Sequence, residues 1–222
     1  MPDRYELAID STAPEASVAL SDGERVVWGK SVSAGRKPSE VLMNPLGEAL
    51  EGIPEGEGLG IVVIGTGPGS YNGARVAIAA GQGIGMVRGC AAVGVSSLEA
   101  LETTRAGGRC LAVGDARRGT MFAVRLEEGK VVGEAELLEA EDLVSRVEAA
   151  VEEGYGVVTL EDVGRLLLPE GLEKAVKQEL PQARLLLEAW WARSEGEREA
   201  VRKVPPEPFY LREAYITTPR KK

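Results

Sequence analysis

Residues 61–81 read IVVIGTGPGSYNGARVAIAAG, and the fold depends on how that stretch is read. A continuous apolar run meets glycines at 65, 67, 69 and 73 and a proline at 68, then a segment of small residues. IVVIGT has the pattern of a strand covered on both faces. Residues 72–87 have the spacing of a helix. Between them lies either a phosphate cradle or a tight turn that lets the helix pack closely.

The cradle reading lacks its chemistry. A Walker loop needs a lysine followed by Ser or Thr to meet the outer phosphates, and residues 65–75 contain no lysine. A dinucleotide fingerprint needs GxGxxG and an acid about 20 positions on for the ribose. Gly65, Gly67 and Gly69 give GxGxG, with Ala, Gly and Met where the acid should stand. One anion-binding feature survives: Ser70 and Asn72 sit at a helix start, where backbone N–H groups favour negative charge. A structural turn is the favoured reading.

In the helix, Ala74, Ala77, Gly81 and Gly85 recur at three- and four-residue steps. Each helix glycine costs roughly 0.5–1 kcal/mol relative to alanine, so close backbone approach must compensate. That approach can come from packing inside the chain or from an exposed seam for a partner, and the residues alone leave both open.

Outward from this stretch, YELAID (5–10) is a buried strand ending on Asp10. ASVALS (16–21) and residues 24–33 continue as strands around an Asp-Gly turn, forming an antiparallel meander. Val41, Leu42, Leu46, Ala49 and Leu50 make a helical stripe interrupted by Pro45, which predicts a kink or a helix starting near Pro45. After GVSSLEALE (a short strand, then a helix capped by Ser96 or Ser97) the pattern repeats in outline. CLAVGDA (110–116) is a strand ending in Asp115, followed by strands over 120–128 and 130–138. A helix over 140–152, a strand over 156–160 and a helix over about 161–178 follow, then a strand or strand-to-helix junction at ARLLLEAWW. The Gly-rich TRAGGR (104–109) marks the boundary. Mixed strands with helices on both faces predict an α/β fold of two duplicated lobes. The lobes are expected at 1–104 and 105–204, with 205–222 returning to the first.

Composition narrows the chemistry. The 222-residue chain is 44% hydrophobic, enough for a sizeable core. Lys plus Arg is 26 and Asp plus Glu is 35, giving a net charge of −9, which repels a phosphate backbone at long range. The basic Arg220, Lys221 and Lys222 read as a frayed tail. Histidine is absent, which removes His-based triads, dyads and His-ligated zinc or iron. Cys90 and Cys110 form neither a disulfide framework nor a CxxC metal clip. Free thiols suit a cytoplasmic protein, and neither a signal peptide nor a membrane span is evident.

Several segments resemble a known family in order and spacing. GTGPGSYNGARVAIAAGQGIG followed by GVSSLEAL is similar to the TsaB (YeaZ) signature, a GPGSFTGLR-like loop, a small-residue helix and a GVSSL-like segment. LAIDSTAPEASVAL, GDARRGTMFAV and PFYLREAY resemble that family's opening, middle and closing elements. Tyr71-Asn72 stands where Phe-Thr is usual, Thr120 where Glu is usual, and Pro38 where relatives often carry histidine. The resemblance implies the actin/Hsp70/sugar-kinase-like fold, each lobe holding a mixed five-stranded sheet flanked by helices. It implies a non-catalytic scaffold paired with TsaD, with the ATPase TsaE, in threonylcarbamoyl transfer to the adenosine beside the anticodon of ANN-reading tRNAs. TsaD would carry metal and chemistry, so no cofactor or metal is expected here, and tRNA contact is only indirect.

The expected seam comprises Val41, Leu42, Leu46, Ala74, Ala77, Gly81 and Gly85, serving TsaD or a second copy of the chain. Asp10, Gly67, Gly69 and Ser70 would be a vestigial phosphate region. The competing reading is an ATPase or phosphotransferase using Asp10 and Asp115, against which both aspartates read as Asx-turn residues. A peptidase has no activated nucleophile here. Trp190-Trp191 reads as a core or lobe-contact pair, residues 195–203 as a solvated helix face, and Arg117-Arg118 as a lobe-to-lobe ion pair.

Overall fold

Each half of the chain builds the same sheet. The computed structural model describes residues 4–33 and 38–211. In the first half, β1 (Tyr5–Asp10), β2 (Glu15–Ser21) and β3 (Val26–Ser33) form the expected meander. Next come α1 (Pro38–Glu51), β4 (Leu59–Gly65), α2 (Tyr71–Arg88) and β5 (Ala91–Val95), giving the order β3-β2-β1-β4-β5. A 3₁₀ turn (Ser97–Ala100) and the one-turn α3 (Glu102–Arg105) lead across. The second half repeats the plan with β6 (Arg109–Asp115), β7 (Thr120–Glu127), β8 (Lys130–Glu139), α4 (Ala140–Glu152), β9 (Gly156–Thr159) and β10 (Val176–Gln178). Its order is β8-β7-β6-β9-β10. In both, the first strand runs antiparallel to the second and parallel to the fourth. This is the duplicated, mixed five-stranded arrangement of the actin/Hsp70/sugar-kinase fold.

β4 is apolar along its length because it is central, with helices on both faces. One face packs under α1 and α2 through Leu7, Ile9, Leu42, Leu46, Ile64 and Ala77. The other packs under α5 (Ala183–Trp191) through Ala8, Val63, Leu186 and Trp190. Each large apolar side chain sealed here contributes about 1.5–3 kcal/mol.

That second face corrects the expected boundary. Helices α5 and α6 (Glu195–Arg202) lie in the second half of the sequence, yet they pack on the first sheet. The physical reason is the uncovered apolar face of β1 and β4, which nothing in the first half fills. Trp190 is a core residue and α6 has no buried residue, as expected.

Other expectations fail locally. α1 runs unbroken through Pro45 because Leu42, Leu46 and Ala49 are anchored in the core, and tertiary packing outweighs propensity. The helix expected after GVSSL shrinks to short turns, with Ser96 accepting from the Leu98 amide at 3.3 Å. The helix expected over 161–178 is instead two 3₁₀ turns and β10, since Pro169 and Gly171 break it. The basic residues 220–222 lie outside the described residues.

No disulfide joins Cys90 to Cys110. Burial pushes the Cys110 thiol up to about 11, partly offset by a hydrogen bond with Thr104, and Glu179 raises it further. Native protein at pH 8 should therefore leave Cys110 unalkylated, with labelling appearing only across the denaturant transition. Mass spectrometry of iodoacetamide-treated peptides checks this.

Candidate functional site

The loops at the carboxyl ends of β1, β4 and β6 meet where the lobes face each other. They frame a cleft of about 830 Å³ whose lining includes Thr12, Ser70, Tyr71, Asp115, Arg117 and Phe122.

The glycine loop packs as a structural turn. Gly67 and Gly69 take φ of 101° and 151°, backbone that favours glycine. A Cβ on Gly69 would lie 2.2 Å from the Thr12 carbonyl oxygen, and one on Gly73 1.7 Å from that of Ser11. The Ser70 amide donates to the Thr12 carbonyl at 2.6 Å. The Ser70 hydroxyl caps α2 by accepting from the Gly73 amide at 3.1 Å. The turn thus presses the start of α2 onto the β1–β2 corner. Gly69 and Ser70 line the cleft, whereas Gly67 and Asp10 do not.

Asp10 is 1% exposed. Its Oδ1 accepts from the Thr12 amide at 2.8 Å and the Thr12 hydroxyl at 2.7 Å. Its Oδ2 is buried without a hydrogen bond, against the space a Cβ on Gly65 would take. Burial pushes its pKa up from the ordinary 3.8, opposed by the nearby Ser97 hydroxyl and the two Thr12 groups. The folded state therefore holds this proton to higher pH than the unfolded chain does. Its contribution to stability falls as pH rises from the unfolded value through the folded one. Asp10→Asn should flatten that part of the pH profile, read as denaturation midpoints across the acid range.

Asp115 repeats the turn in the second lobe. Its Oδ1 accepts from the Arg117 amide at 2.6 Å. Unlike Asp10 it lines the cleft. Its Oδ2 pairs with Arg117 at 3.2 Å and Arg165 at 3.5 Å, and Arg165 also faces Glu161 at 3.7 Å. Burial pushes the Glu161 carboxyl up, against the pull of Arg165 and Arg117. Arg117 and Arg118 both take positive φ. For Arg117 the ion pair expected between lobes is corrected: it bonds to Asp115 of its own lobe, because the Asx turn folds the chain back on itself. The Asx reading holds for both aspartates. Among the described residues, no group of three Asp, Glu or Cys side chains is placed to hold a metal.

The expected seam is corrected too. Leu42 and Leu46 are 0% and 4% exposed, and Ala74 and Ala77 are 4% and 0%. Val41 is partly buried against the same core. Gly81 and Gly85 are buried. A Cβ on Gly81 would sit 2.5 Å from the Ile64 side chain, and one on Gly85 2.9 Å from the Cys90 carbonyl. The slim face packs on the chain's own sheet. The opposite side of α2 is the open one: Met86 and Val87 are each 85% exposed and Ala79 and Gly83 are exposed. On α1, Met43 is 50% exposed.

Sequence reasoning missed Arg165 and Glu161, because a helix was expected there, and it missed the cleft position of Tyr210. The three prolines ahead of the aromatic pair in PPEPFY are the available signal.

A duplicated, two-lobed protein of the actin/Hsp70/sugar-kinase class is what the sheets and the cleft define. The TsaD family, described as tRNA N6-adenosine threonylcarbamoyltransferase, matches residues 33–185, more than half of the chain. The chain belongs to that family. Among the solved structures that share its fold are two with TM-scores of 0.67 and 0.66. One is an uncharacterized Pseudomonas aeruginosa protein with similarity to peptidase YEAZ, at 24% identity, TM-score 0.67, covering 94% of this chain and 99% of its own. The other is YeaZ from Pseudomonas aeruginosa, at 23% identity, TM-score 0.66, covering 93% and 99%. No curated protein matches the chain in sequence. Among the described residues no helix is long and apolar enough to cross a membrane.

Proposed function

We propose that the chain is the TsaB-type, non-catalytic subunit that pairs with TsaD, served by TsaE, in threonylcarbamoyl transfer to the adenosine beside the anticodon of ANN-reading tRNAs. The cytoplasm is its proposed compartment. The observation that carries the reading is the state of the strand-end carboxylates within a family of transferases. Asp10 is sealed behind Thr12, and Asp115 is committed to its own turn and to two arginines. Neither carboxylate is left free to hold a metal-bound phosphate. What remains for this chain is shape.

The docking edge is reassigned to the outer side of α1 and α2. Met43, Ala79, Gly83, Met86 and Val87 present apolar or small side chains to solvent there, while the inner side is spent on the core. The partner is TsaD, or a second copy of this chain in its absence. The test is co-purification with TsaD. Complex formation is expected with the parent chain and loss with the double variant Met86→Asp, Val87→Asp. Retention by that variant would exclude this edge.

A phosphotransferase keeps one supporting feature, the cleft position of Asp115. Calorimetry of the isolated chain with Mg-ATP separates the two readings. No heat of binding and no turnover are expected of the scaffold; turnover lost in Asp115→Ala would establish the enzyme.

A further inference from the structure

The cleft holds a piece of the chain itself. Beyond α6, residues 205–211 leave the helix and cross from the first lobe toward the second. Pro206 lies over Gly94 of β5, where an added Cβ would meet its Cα at 3.3 Å. The Phe209 amide donates to the Thr66 carbonyl at 2.8 Å, just after β4. Tyr210 packs on Tyr71 at the start of α2, with ring centroids 5.5 Å apart and tilted by 33°. Leu211, partly buried, packs against an apolar cluster that joins Leu98 and Leu101 at the end of the first lobe to Cys110, Phe122, Val124 and Leu160 of the second. Pro208, Phe209, Tyr210 and Leu211 all line the cleft.

We infer that residues 205–211 form an intramolecular strap that pins the two lobes at a fixed angle. The contacts stay on the first lobe from Pro206 to Tyr210 and pass to the second at Leu211. Thr66 and Tyr71 belong to the first lobe, and the Leu211 site is built mainly from β6, β7 and β9 of the second. A two-lobed protein changes its cleft angle by hinge motion, and a segment bonded to both sides opposes that motion. The strap forms part of the cleft wall and supplies a bridge between lobes from within the chain. This inference does not depend on the partner proposed above.

The test uses the full chain with Cys90→Ser and spin labels at Ala79→Cys on α2 and Glu148→Cys on α4, both exposed positions on different lobes. Cys110 is buried and stays unlabelled. The parent should give one narrow distance distribution. Phe209→Pro removes the amide donor to Thr66, and Leu211→Ser removes the second-lobe anchor. Each should broaden the distribution and shift it, and Leu211→Ser should speed exchange of the Phe209 amide about tenfold or more. Tyr210→Ala, at a half-exposed side chain, leaves the core intact and should broaden it less. Leu211→Met should behave as the parent. Unchanged distributions in Phe209→Pro, Tyr210→Ala and Leu211→Ser would overturn the strap, as would broadening in Leu211→Met equal to that in Leu211→Ser.

Discussion

Gly73→Ala is expected to lower stability by about 3 kcal/mol or more, while Gly83→Ala on the same helix is expected to raise it by about 0.5–1 kcal/mol. A Cβ at position 73 would stand 1.7 Å from the Ser11 carbonyl oxygen, and nothing lies within 4 Å of one at position 83. The clash has no soft side. The Ser11 hydroxyl donates to the Gly73 carbonyl at 2.7 Å, the Ser70 amide holds the Thr12 carbonyl, and Thr12 is tied to Asp10. Relief therefore means moving α2 off the β1–β2 corner. At Gly83 the only change is a lower backbone entropy in the unfolded chain and a better helix former in an exposed position. Denaturant midpoints with a shared m-value check both. A drop in Gly83→Ala, or a Gly73→Ala that matches the parent, would refute the packing account of these glycines.

Replacing Met86 and Val87 together by Asp is expected to weaken the proposed complex with TsaD by at least about tenfold per charge, since each carboxylate would have to be desolvated or left facing apolar surface. Stability of the isolated chain should change by no more than about 1 kcal/mol, most of it from negative charge in the last turn of a helix. Both side chains are 85% exposed, so the fold does not use them. Gly81→Leu makes the contrast. It points into Ile64, so any loss of partner binding in that variant is a consequence of lost folding. Titration of TsaD by calorimetry, beside thermal melts of each variant, separates the two effects.

The meander and the central strand were legible because their side-chain pattern alone sets them: YELAID is β1 residue for residue. The duplication was legible because an aspartate ends β1 and β6 at equivalent places. What could not be read was which surface each helix covers. The small residues of α2 call for close approach, but a spacing of three and four residues carries no label for what approaches, sheet or partner. Only the position of Ile64 and Val62 beneath Gly81 decides it. In the same way, ARLLLEAWW is apolar enough for a strand or a helix, and its place on the first sheet follows from a gap left far away in sequence. The cleft was half legible. Asp115 and Ser70 were found by their turn chemistry, whereas Arg165 and Tyr210 reach it through irregular segments that carry no periodicity.

The modification state of tRNA tests the proposed pairing with TsaD most directly. In cells depleted of this chain, threonylcarbamoyladenosine in ANN-reading tRNAs should fall, and nucleoside analysis should show recovery with the parent chain but not with the Met86→Asp, Val87→Asp variant. Unchanged modification after depletion, or full recovery with that variant, would contradict it.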